Sequence, residues 1–533
     1  MQRKIIGQPY RKYDPSEEFD AIVIGSGIGG LATAALLARH GGQRVLVLER
    51  HYTPGGFTHV YKRRGYEWDV GLHYIGQVQH PATHTRKLFD HLTDGRLQWA
   101  SMGEVYDRIV IDDKAYDYVA GPEAFAARMK EYFPAEARAI DRYLELIRKV
   151  PKWSGLYFAE KAVPAVVAKL VGGLMRMRFL RWAKRTTGEV LASLTDHTEL
   201  IAVLTGQYGD YGLPPAQSSF AMHAVLARHY LQGGSYPIGG SAQIAECIAP
   251  LIEEAGGKIL YHADVKEILV VGDLAIGVRM ADGQEINAPR VISNAGAGNT
   301  YLRLLPRPVA EGHGLVQKLR RVKASVGHAC LYAGLRGSAE ELGLSKTNLW
   351  IYPGPDHDAN VAAYLADPAA PLPLVYASFP SAKDPDFDNR CPGRSTIELI
   401  TLAPFERYMP WFDSEWGQRG EAYETYKKQL GERMLEALYS QLPQLRGKID
   451  YWEVSTPLST RHFANYERGE LYGLEHTPGR FREKFLRPQT PIENLYLTGQ
   501  DIVSCGVAGA MAAGYLTAST MLGKNLLKAA TRG

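Results

Sequence analysis

The feature that most constrains the fold is a glycine-rich turn between two apolar segments near the start of the 533-residue chain. Segment 19–24 is short, mostly apolar and β-branched, which is typical of a buried parallel strand. The turn at 25–30 (Gly-Ser-Gly-Ile-Gly-Gly) follows, then a helical stretch at 31–39 and a second apolar segment at 45–48. Because strand, turn, helix and strand come in this order within about 30 residues, they predict a dinucleotide-binding βαβ unit.

The glycines of the turn have separate reasons to lack a side chain. Gly25 allows the tight turn, Gly27 lets the backbone approach a pyrophosphate, and Gly30 lets the helix pack on the strand. The N-terminus of the helix would face the pyrophosphate with free N–H groups and the positive end of its dipole. Ile28 and Gly29 are therefore expected to bind the cofactor as well.

The residues after the second strand complete the expected nucleotide site. Glu49 closes the strand, where its carboxylate can accept hydrogen bonds from a ribose diol. Arg50 comes next and is included in the site. Gly55 and Gly56 then allow a second stretch of backbone to approach the cofactor.

The other end of the chain carries a second set of cofactor signals. Segment 494–501 (Asn-Leu-Tyr-Leu-Thr-Gly-Gln-Asp) is typical of a strand that ends in Gly499 and Asp501, whose carboxylate is placed to bind ribityl hydroxyls. A glycine-rich helix follows at 506–514, and its first turn, with Val507, can face a flavin carbonyl. One large cofactor held by both ends of the chain indicates FAD, and no second Gly-x-Gly-x-x-Gly is present for a separate NAD(P) domain.

Composition narrows the function classes further. Hydrophobic residues at 45% and charged residues at 22% are globular proportions, and a net charge of +4 argues against a nucleic-acid binder. The four cysteines form no Cys-x-x-Cys pair, so no metal site is expected. The polar stretch 1–18 does not resemble a signal peptide, and the uncharged segments 21–38 and 502–522 are interpreted as buried parts of the cofactor fold. A cytoplasmic protein is therefore expected.

Several segments resemble the phytoene desaturase and carotenoid isomerase family of flavin oxidoreductases, and within it the retinol saturases. The resemblance covers nearly the whole chain and is carried by segments 19–30, 45–56, 65–76, 236–294, 469–481 and 488–514. The pieces most similar to retinol saturases are Gly-Leu-His-Tyr-Ile-Gly at 71–76 and the strand at 494–501.

This likeness implies an α/β fold in which a Rossmann-type, glutathione-reductase-like FAD-binding domain carries an inserted α+β substrate domain. The FAD-binding domain would be discontinuous and would comprise residues 17–80, 236–300 and 451–533. The substrate domain would comprise residues 81–235 and 301–450. The family likeness also places the backbone of Val265 against the adenine.

The same likeness suggests where the chemistry takes place. Segment 68–74 would run beside the isoalloxazine ring, and Gly71 would allow the ring close to the backbone. His73 and Tyr74 then become candidates to contact the flavin or to donate a proton, and a purely structural role fits each of them too. A second polar group, His462, Tyr472, Glu475 and His476, precedes the C-terminal flavin strand and is expected to contribute members to the pocket.

The resemblance implies FAD-dependent action on carbon–carbon double bonds of a hydrophobic polyene lipid, with saturation of a retinoid or carotenoid bond as the first expectation. A carotenoid desaturase or a cis–trans isomerase that uses the same flavin stays open, as does a flavin-bound lipid-binding protein without turnover. The electron donor or acceptor is not indicated by the sequence.

Residues 155–186 have the composition of a membrane-surface segment. The stretch is largely apolar and contains seven lysines and arginines against one glutamate, which is typical of a helix lying in a membrane interface. Pro164 and the pair Gly172-Gly173 weaken the prediction of one long helix. We expect peripheral membrane contact here, and a solvated basic helix that covers a core is the alternative.

Overall fold

A computed structural model describes residues 5–163 and 165–532. Its central element is a six-stranded sheet in which every neighbouring pair of strands is parallel. Across the sheet the strands are Gln8–Pro9, Lys258–Tyr261, Val45–Leu48, Ala21–Ile24, Val291–Ser293 and Leu495–Leu497. The two strands predicted around the glycine-rich turn are adjacent at its centre, and the predicted C-terminal strand forms one edge.

The helix after the glycine-rich turn runs from Ile28 to Gly41 and is buried along most of its length. It ends at Gly42, whose φ of +62° lets its N–H bond the carbonyls of Leu37 and Ala38. It packs against helices Gln243–Glu253 and Gly506–Leu522. Small residues permit this close packing, since a Cβ at Gly514 would lie 2.7 Å from the Cβ of Ala32. The predicted α/β, Rossmann-type fold class is therefore confirmed.

Smaller sheets surround this nucleotide-binding core. An antiparallel sheet follows the fourth parallel strand in the chain and contains Val265–Val271, Leu274–Met280 and Glu285–Asn287. A second contains Trp99–Ser101, Gly234–Pro237 and Ile75–Gly76. A hairpin of Val60–Arg63 and Tyr66–Asp69 leads to the segment predicted to lie beside the flavin.

The other large element is a mixed sheet of seven strands. In spatial order these are Ile449–Ser455, His328–Arg336, Arg394–Leu402, Val375–Ser378, Asn348–Tyr352, Val105–Ile111 and Lys114–Val119. Only the pairing of Asn348–Tyr352 with Val105–Ile111 is parallel. The sheet combines strands from both blocks expected to form the substrate domain, and its edge strand crosses residue 451. The division into two domains stays a prediction.

Helices surround the sheets, and among them Glu421–Gln441 and Pro122–Tyr132 pack on strands of the seven-stranded sheet. The main ones are His84–Thr93, Pro122–Tyr132, Ala137–Lys149, Ser154–Ala162, Ala165–Ala183, Thr187–Ala192, Thr198–Leu204, Phe220–Tyr230, His357–Ala366, Glu421–Gln441, Pro457–Ala464 and Leu526–Thr531. Within the described residues, none of the helices combines the length and apolar character needed to cross a membrane.

Candidate active site

A cavity of about 1,070 Å³ opens at the carboxyl ends of the central parallel strands. Gly25, Glu49 and Asn294 line it, and each directly follows one of these strands. This end of a doubly wound sheet is where such folds bind their ligands. The predicted cofactor-binding residues on the cavity wall are Gly25, Gly27, Ile28, Gly29, Glu49, Arg50, Gly55, Gly56, Gly71, Val265 and Val507.

Two predicted glycines lie behind the wall rather than on it. A Cβ at Gly30 would overlap the carbonyl oxygen of Gly25, which agrees with its expected role in packing the helix on the strand. A Cβ at Gly499 would lie 2.5 Å from Oδ1 of Asn294. Gly29 is equally crowded, because its Cβ would lie 2.7 Å from the Cα of Gly499. The N- and C-terminal cofactor segments therefore meet through glycine contacts that leave no room for side chains.

The carboxylate of Glu49 is buried and fixed at the cavity wall. Its Oε2 accepts hydrogen bonds from the backbone N–H of Ser26, at 2.9 Å, and from the Ser26 hydroxyl, at 2.7 Å. Its Oε1 accepts one from the N–H of His51 at 2.8 Å. These bonds connect the glycine-rich turn to the end of the second strand. The cradle of side-chain-free backbone beside a held carboxylate fits the pyrophosphate and ribose of FAD.

Asp501 lies beneath the cavity, and its side chain does not form part of the cavity wall. Its Oδ2 accepts a hydrogen bond from the N–H of Ala297 at 2.7 Å, and its Oδ1 accepts one from the N–H of Leu474 at 2.9 Å. The carboxylate thus fixes two backbone segments that border the cofactor site. Its neighbour Gln500, which the sequence interpretation did not select, lines the cavity. Direct binding of a ribityl hydroxyl by Asp501 stays a prediction.

A second cavity, of about 890 Å³, adjoins the first. The two share wall residues Val70, Gly71, His328, Leu471, Tyr472, Gly506 and Val507. The second cavity is walled mainly by apolar and aromatic side chains, among them Met222, Leu226, Trp350 and Tyr376. His73 and Tyr74 line this second cavity and not the first. The predicted segment therefore runs along the junction of the two cavities.

His73 is part of a buried ionisable group under the second cavity. Its Nδ1 lies 2.7 Å from Oε2 of Glu398, and its carbonyl oxygen accepts a hydrogen bond from Nζ of Lys383 at 3.0 Å. Burial, followed by the charge of Lys383, lowers the pKa of His73 to about 4, so the imidazole is neutral at neutral pH. Burial raises the pKa of Glu398 to about 8, and burial lowers that of Lys383 to about 8. This position fits a hydrogen-bonded histidine that holds the segment in place.

Tyr74 reaches a different pair of carboxyl groups. Its hydroxyl oxygen lies 2.9 Å from Oδ2 of Asp107 and 3.0 Å from Oδ2 of Asp210. Burial raises the pKa of Tyr74 well above 10, and the charge of Asp107 adds to this effect. Asp210 lines the second cavity, whereas Asp107 does not.

The ionisable residues around His73 and Tyr74 were not predicted from the sequence. Asp107, Asp210, Lys383 and Glu398 come from four distant segments, and no common motif or spacing connects them. A lone carboxylate in a buried strand, such as Asp107 in Val105–Ile111, is the one available hint.

The polar group expected before the C-terminal strand is dispersed in the structure. Tyr472 lines both cavities, and its hydroxyl donates to the carbonyl of Gly209 at 2.9 Å. His476 is buried and its Nε2 accepts a hydrogen bond from the N–H of Cys505 at 3.1 Å. His462 stacks on the partly exposed Trp416. Of these residues, Tyr472 is thus the one placed beside both cavities.

A parallel sheet with a dinucleotide cradle, joined to a second, mainly apolar cavity, defines a flavin-dependent oxidoreductase. Residues 28–522 match the model of the flavin containing amine oxidoreductase family. The all-trans-retinol 13,14-reductase of Homo sapiens is 38% identical over 98% of this chain and 89% of that protein. The chain therefore belongs to the flavin-containing amine oxidoreductases, in the branch that contains the human reductase. FAD is its cofactor.

The chain is also similar to a carotenoid-processing protein and to a solved oxidase structure. Prolycopene isomerase 1 of an Oncidium hybrid cultivar is 25% identical over 95% of this chain and 85% of that protein. A solved structure of wild-type putrescine oxidase bound to putrescine superposes with a TM-score of 0.62 at 17% identity, and covers 95% of this chain and 100% of its own. The structural likeness establishes the shared fold.

Proposed function

We propose that this protein saturates one carbon–carbon double bond of a polyene lipid, most directly a retinoid. The observation that carries the proposal is the second cavity, which is mainly apolar and opens onto the cofactor cavity through shared walls at 70–71 and 506–507. Its volume of about 890 Å³ lies in the range typical of small-molecule sites. The 38% identity to a retinol 13,14-reductase over nearly the whole chain supports a retinoid as the occupant.

The walls of the second cavity suit a flat conjugated chain. Tyr74 and Tyr230 stack with ring centres 4.2 Å apart and planes 13° from parallel, and Trp350 packs on Tyr376 at 4.4 Å. Such rings offer broad apolar faces and have few rotatable bonds, so they restrict a polyene to a narrow set of positions. Fixing one double bond at the junction with the cofactor cavity would determine which bond reacts.

When bound, FAD supplies two-electron redox chemistry and, in its reduced form, a hydride. The glycine cradle and Glu49 would hold it, and the apolar walls of the second cavity would exclude water from the reacting bond. The predicted flavin contacts at Gly71 and Val507 lie on the wall shared by the two cavities. Saturation also requires a proton, which must come from a group on the second cavity or from water.

The substrate is proposed to enter from a membrane surface. Helix Ala165–Ala183 exposes Leu170, Leu174 and Met177, with exposed fractions of 81%, 73% and 57%. Exposed Lys169 and Arg178 lie on the same helix. The preceding helix, Ser154–Ala162, packs against it. Within that helix Ser154, Gly155, Phe158 and Ala159 line the second cavity.

An apolar face with basic residues, on a helix that packs against a wall of the second cavity, fits a protein that lies on anionic lipid and takes its substrate from it. Helix Ser154–Ala162 ends before residue 163, and the predicted break at Pro164 lies outside the described residues. Helix Ala165–Ala183 would thus contact the membrane surface without crossing the bilayer.

Cis–trans isomerisation with the same flavin is the second candidate, favoured by the similarity to prolycopene isomerase. Product mass separates the candidates. Purified, reduced protein is incubated without oxygen with all-trans-retinol and a panel of carotenoids. Saturation adds two hydrogens, isomerisation changes retention at constant mass, and desaturation by the oxidised protein removes two hydrogens. If none of these changes occurs with any polyene, the proposal is wrong and a flavin-bound carrier becomes the better interpretation.

A further inference from the structure

One phenol hydroxyl bridges two carboxyl groups beside the second cavity. The hydroxyl oxygen of Tyr74 lies 2.9 Å from Asp107 and 3.0 Å from Asp210. A tyrosine has one proton, so it can donate to only one of the two carboxyl groups. Two carboxylates in this position would also repel each other in surroundings of low polarity. One of the two therefore carries a proton of its own.

The hydrogen bonds indicate which carboxyl group is ionised. Asp107 is fully buried and accepts from Nδ2 of Asn348 and from Nε2 of Gln207, each at 2.7 Å, besides Tyr74. Several donors stabilise a carboxylate. The Asp210 carboxyl contacts Tyr74, but neither Asn348 nor Gln207 donates to it. Asp107 is thus the anion, and Asp210 is the carboxylic acid.

Asp210 is also the member of the pair that a substrate can reach. It is only partly buried and forms part of the wall of the second cavity, whereas Asp107 lies behind Tyr74. Burial, followed by the charge of Asp107, raises the pKa of Asp210 well above that of an ordinary aspartate. A neutral acid in contact with the substrate cavity has the properties required of a proton donor.

We propose that Asp210 is the general acid of the saturation reaction, a role that rests on the proposed function. The π bond of the polyene breaks as two C–H bonds form. One carbon would receive the hydride, with its two electrons, that FAD supplies when it is bound and reduced, and this would leave the FAD oxidised. The π electron pair takes the proton of Asp210 onto the neighbouring carbon, so the O–H bond breaks and Asp210 becomes a carboxylate. Asp210 regains a proton from water after the product leaves, since a second anion beside Asp107 is unfavourable.

The two residues first expected to donate the proton are less suited to this role. His73 is neutral and its Nδ1 is engaged with Glu398. The hydroxyl of Tyr74 is held between the two carboxyl groups and has a raised pKa, so it is a weak acid. Tyr74 is better interpreted as a positioning residue, because its hydroxyl connects the ionised Asp107 to the neutral Asp210.

Asp210→Asn tests the proposal, because it keeps the size of the side chain and a polar contact to Tyr74 but removes the acidic proton. The matched control is Asp196→Asn at an exposed aspartate. We expect Asp210→Asn to slow saturation of all-trans-retinol roughly 100- to 10,000-fold, the usual contribution of a general acid. FAD content and retinoid binding should match the wild type, and Asp196→Asn should react at the wild-type rate.

Infrared spectroscopy supplies a readout that does not depend on turnover. At neutral pH the difference spectrum of wild type minus Asp210→Asn is expected to contain the carbonyl band of a protonated carboxylic acid. The corresponding spectrum for Asp196→Asn should lack it. Absence of the band from the Asp210 difference overturns the assignment, even if activity falls.

The wild-type result separates this inference from the proposed function. If the wild type saturates retinol and Asp210→Asn does so at the same rate, Asp210 is not the acid and the proposed function stands. If the wild type saturates no polyene, both fall. Should Asp210→Asn fail to fold, Asp210→Ser and Asp210→Glu replace it. Asp210→Glu, which keeps an acid, should then saturate retinol at least about tenfold faster than Asp210→Ser. Equal rates for these two variants would overturn the proposal.

Discussion

Two glycines of the same turn are expected to fail in different ways when each is replaced by alanine. At Gly27, the nearest atom to an added Cβ is the side-chain Nδ2 of Asn294, at 2.9 Å. That amide can rotate away, and φ at Gly27 is −58°, which alanine adopts without strain. At Gly30, the added Cβ would overlap the backbone carbonyl oxygen of Gly25, which cannot move unless the helix shifts from the strand.

The magnitudes follow from these contacts. For Gly30→Ala the helix must move by roughly an ångström to restore a normal contact of about 3.5 Å, and overpacking of this kind costs about 1–3 kcal/mol. For unfolding of the 533-residue chain as one unit, this corresponds to a fall in Tm of roughly 1–3 °C. Gly27→Ala should change the stability of the FAD-free protein by less than about 1 kcal/mol. Its methyl group would instead block a charge-assisted hydrogen bond to the pyrophosphate, worth about 1.5–3 kcal/mol, or roughly a 10- to 150-fold loss in FAD affinity.

The assay measures thermal unfolding of FAD-free protein and FAD affinity by fluorescence titration for the wild type and both variants. Gly27→Ala is expected to keep its Tm and lose affinity, whereas Gly30→Ala is expected to lose Tm. An unchanged FAD affinity in Gly27→Ala would refute the position of the pyrophosphate. A Gly30→Ala apoprotein as stable as the wild type would refute the packing argument.

Three other variants test separate parts of the structure. Glu49→Gln should weaken FAD binding roughly 10- to 150-fold by removing a charged acceptor, and an unchanged Kd would contradict a ribose contact. Burial lowers the pKa of His357 to about 4. Between about pH 4 and 6.5 its imidazole is therefore neutral in the folded protein but protonated in the unfolded chain. The contribution of His357 to the free energy of unfolding should therefore fall by about 1.4 kcal/mol between pH 7.5 and pH 5.5. Urea unfolding at the two pH values should show this decrease in the wild type, and the decrease should be smaller by that amount in His357→Gln. The double change Leu170→Glu and Leu174→Glu should reduce binding to anionic vesicles at least about 100-fold, because each leucine contributes about 1.5–3 kcal/mol when buried. The control Leu365→Glu, on a helix elsewhere in the fold, should leave binding unchanged, and equal vesicle binding by all three proteins would exclude this face.

The cofactor half of the site was predictable because its signals are local. The turn at 25–30, Glu49 and the glycines at 55–56 are close in sequence, and the glycine spacing dictates how strand, turn and helix connect. The C-terminal strand was predictable from its family pattern, and it does pair with Val291–Ser293. Asp501 follows this strand as predicted, but its side chain accepts hydrogen bonds from Ala297 and Leu474 and does not line the cavity. Side-chain direction at the end of a strand depends on the loops around it, which the sequence pattern does not specify.

The ionisable half of the site depends on long-range register. Asp107 and Asn348 are direct partners in the parallel pair of the seven-stranded sheet, although 241 residues separate them in the chain. Asp210 reaches Tyr74 only because residues 208–210 form a short helical turn against this sheet. Neither relation follows from local propensity. The acid of the reaction could therefore be inferred only after the chain was seen folded.

Flavin absorbance shows directly whether this flavoprotein reduces a polyene double bond. The protein is reduced under argon by one equivalent of dithionite and then titrated with all-trans-retinol, without oxygen. We expect the spectrum of oxidised flavin to return, with one retinol consumed for each flavin reoxidised. A flavin that stays reduced at saturating retinol and across the carotenoid panel, even if a polyene binds or changes its geometry, would contradict it.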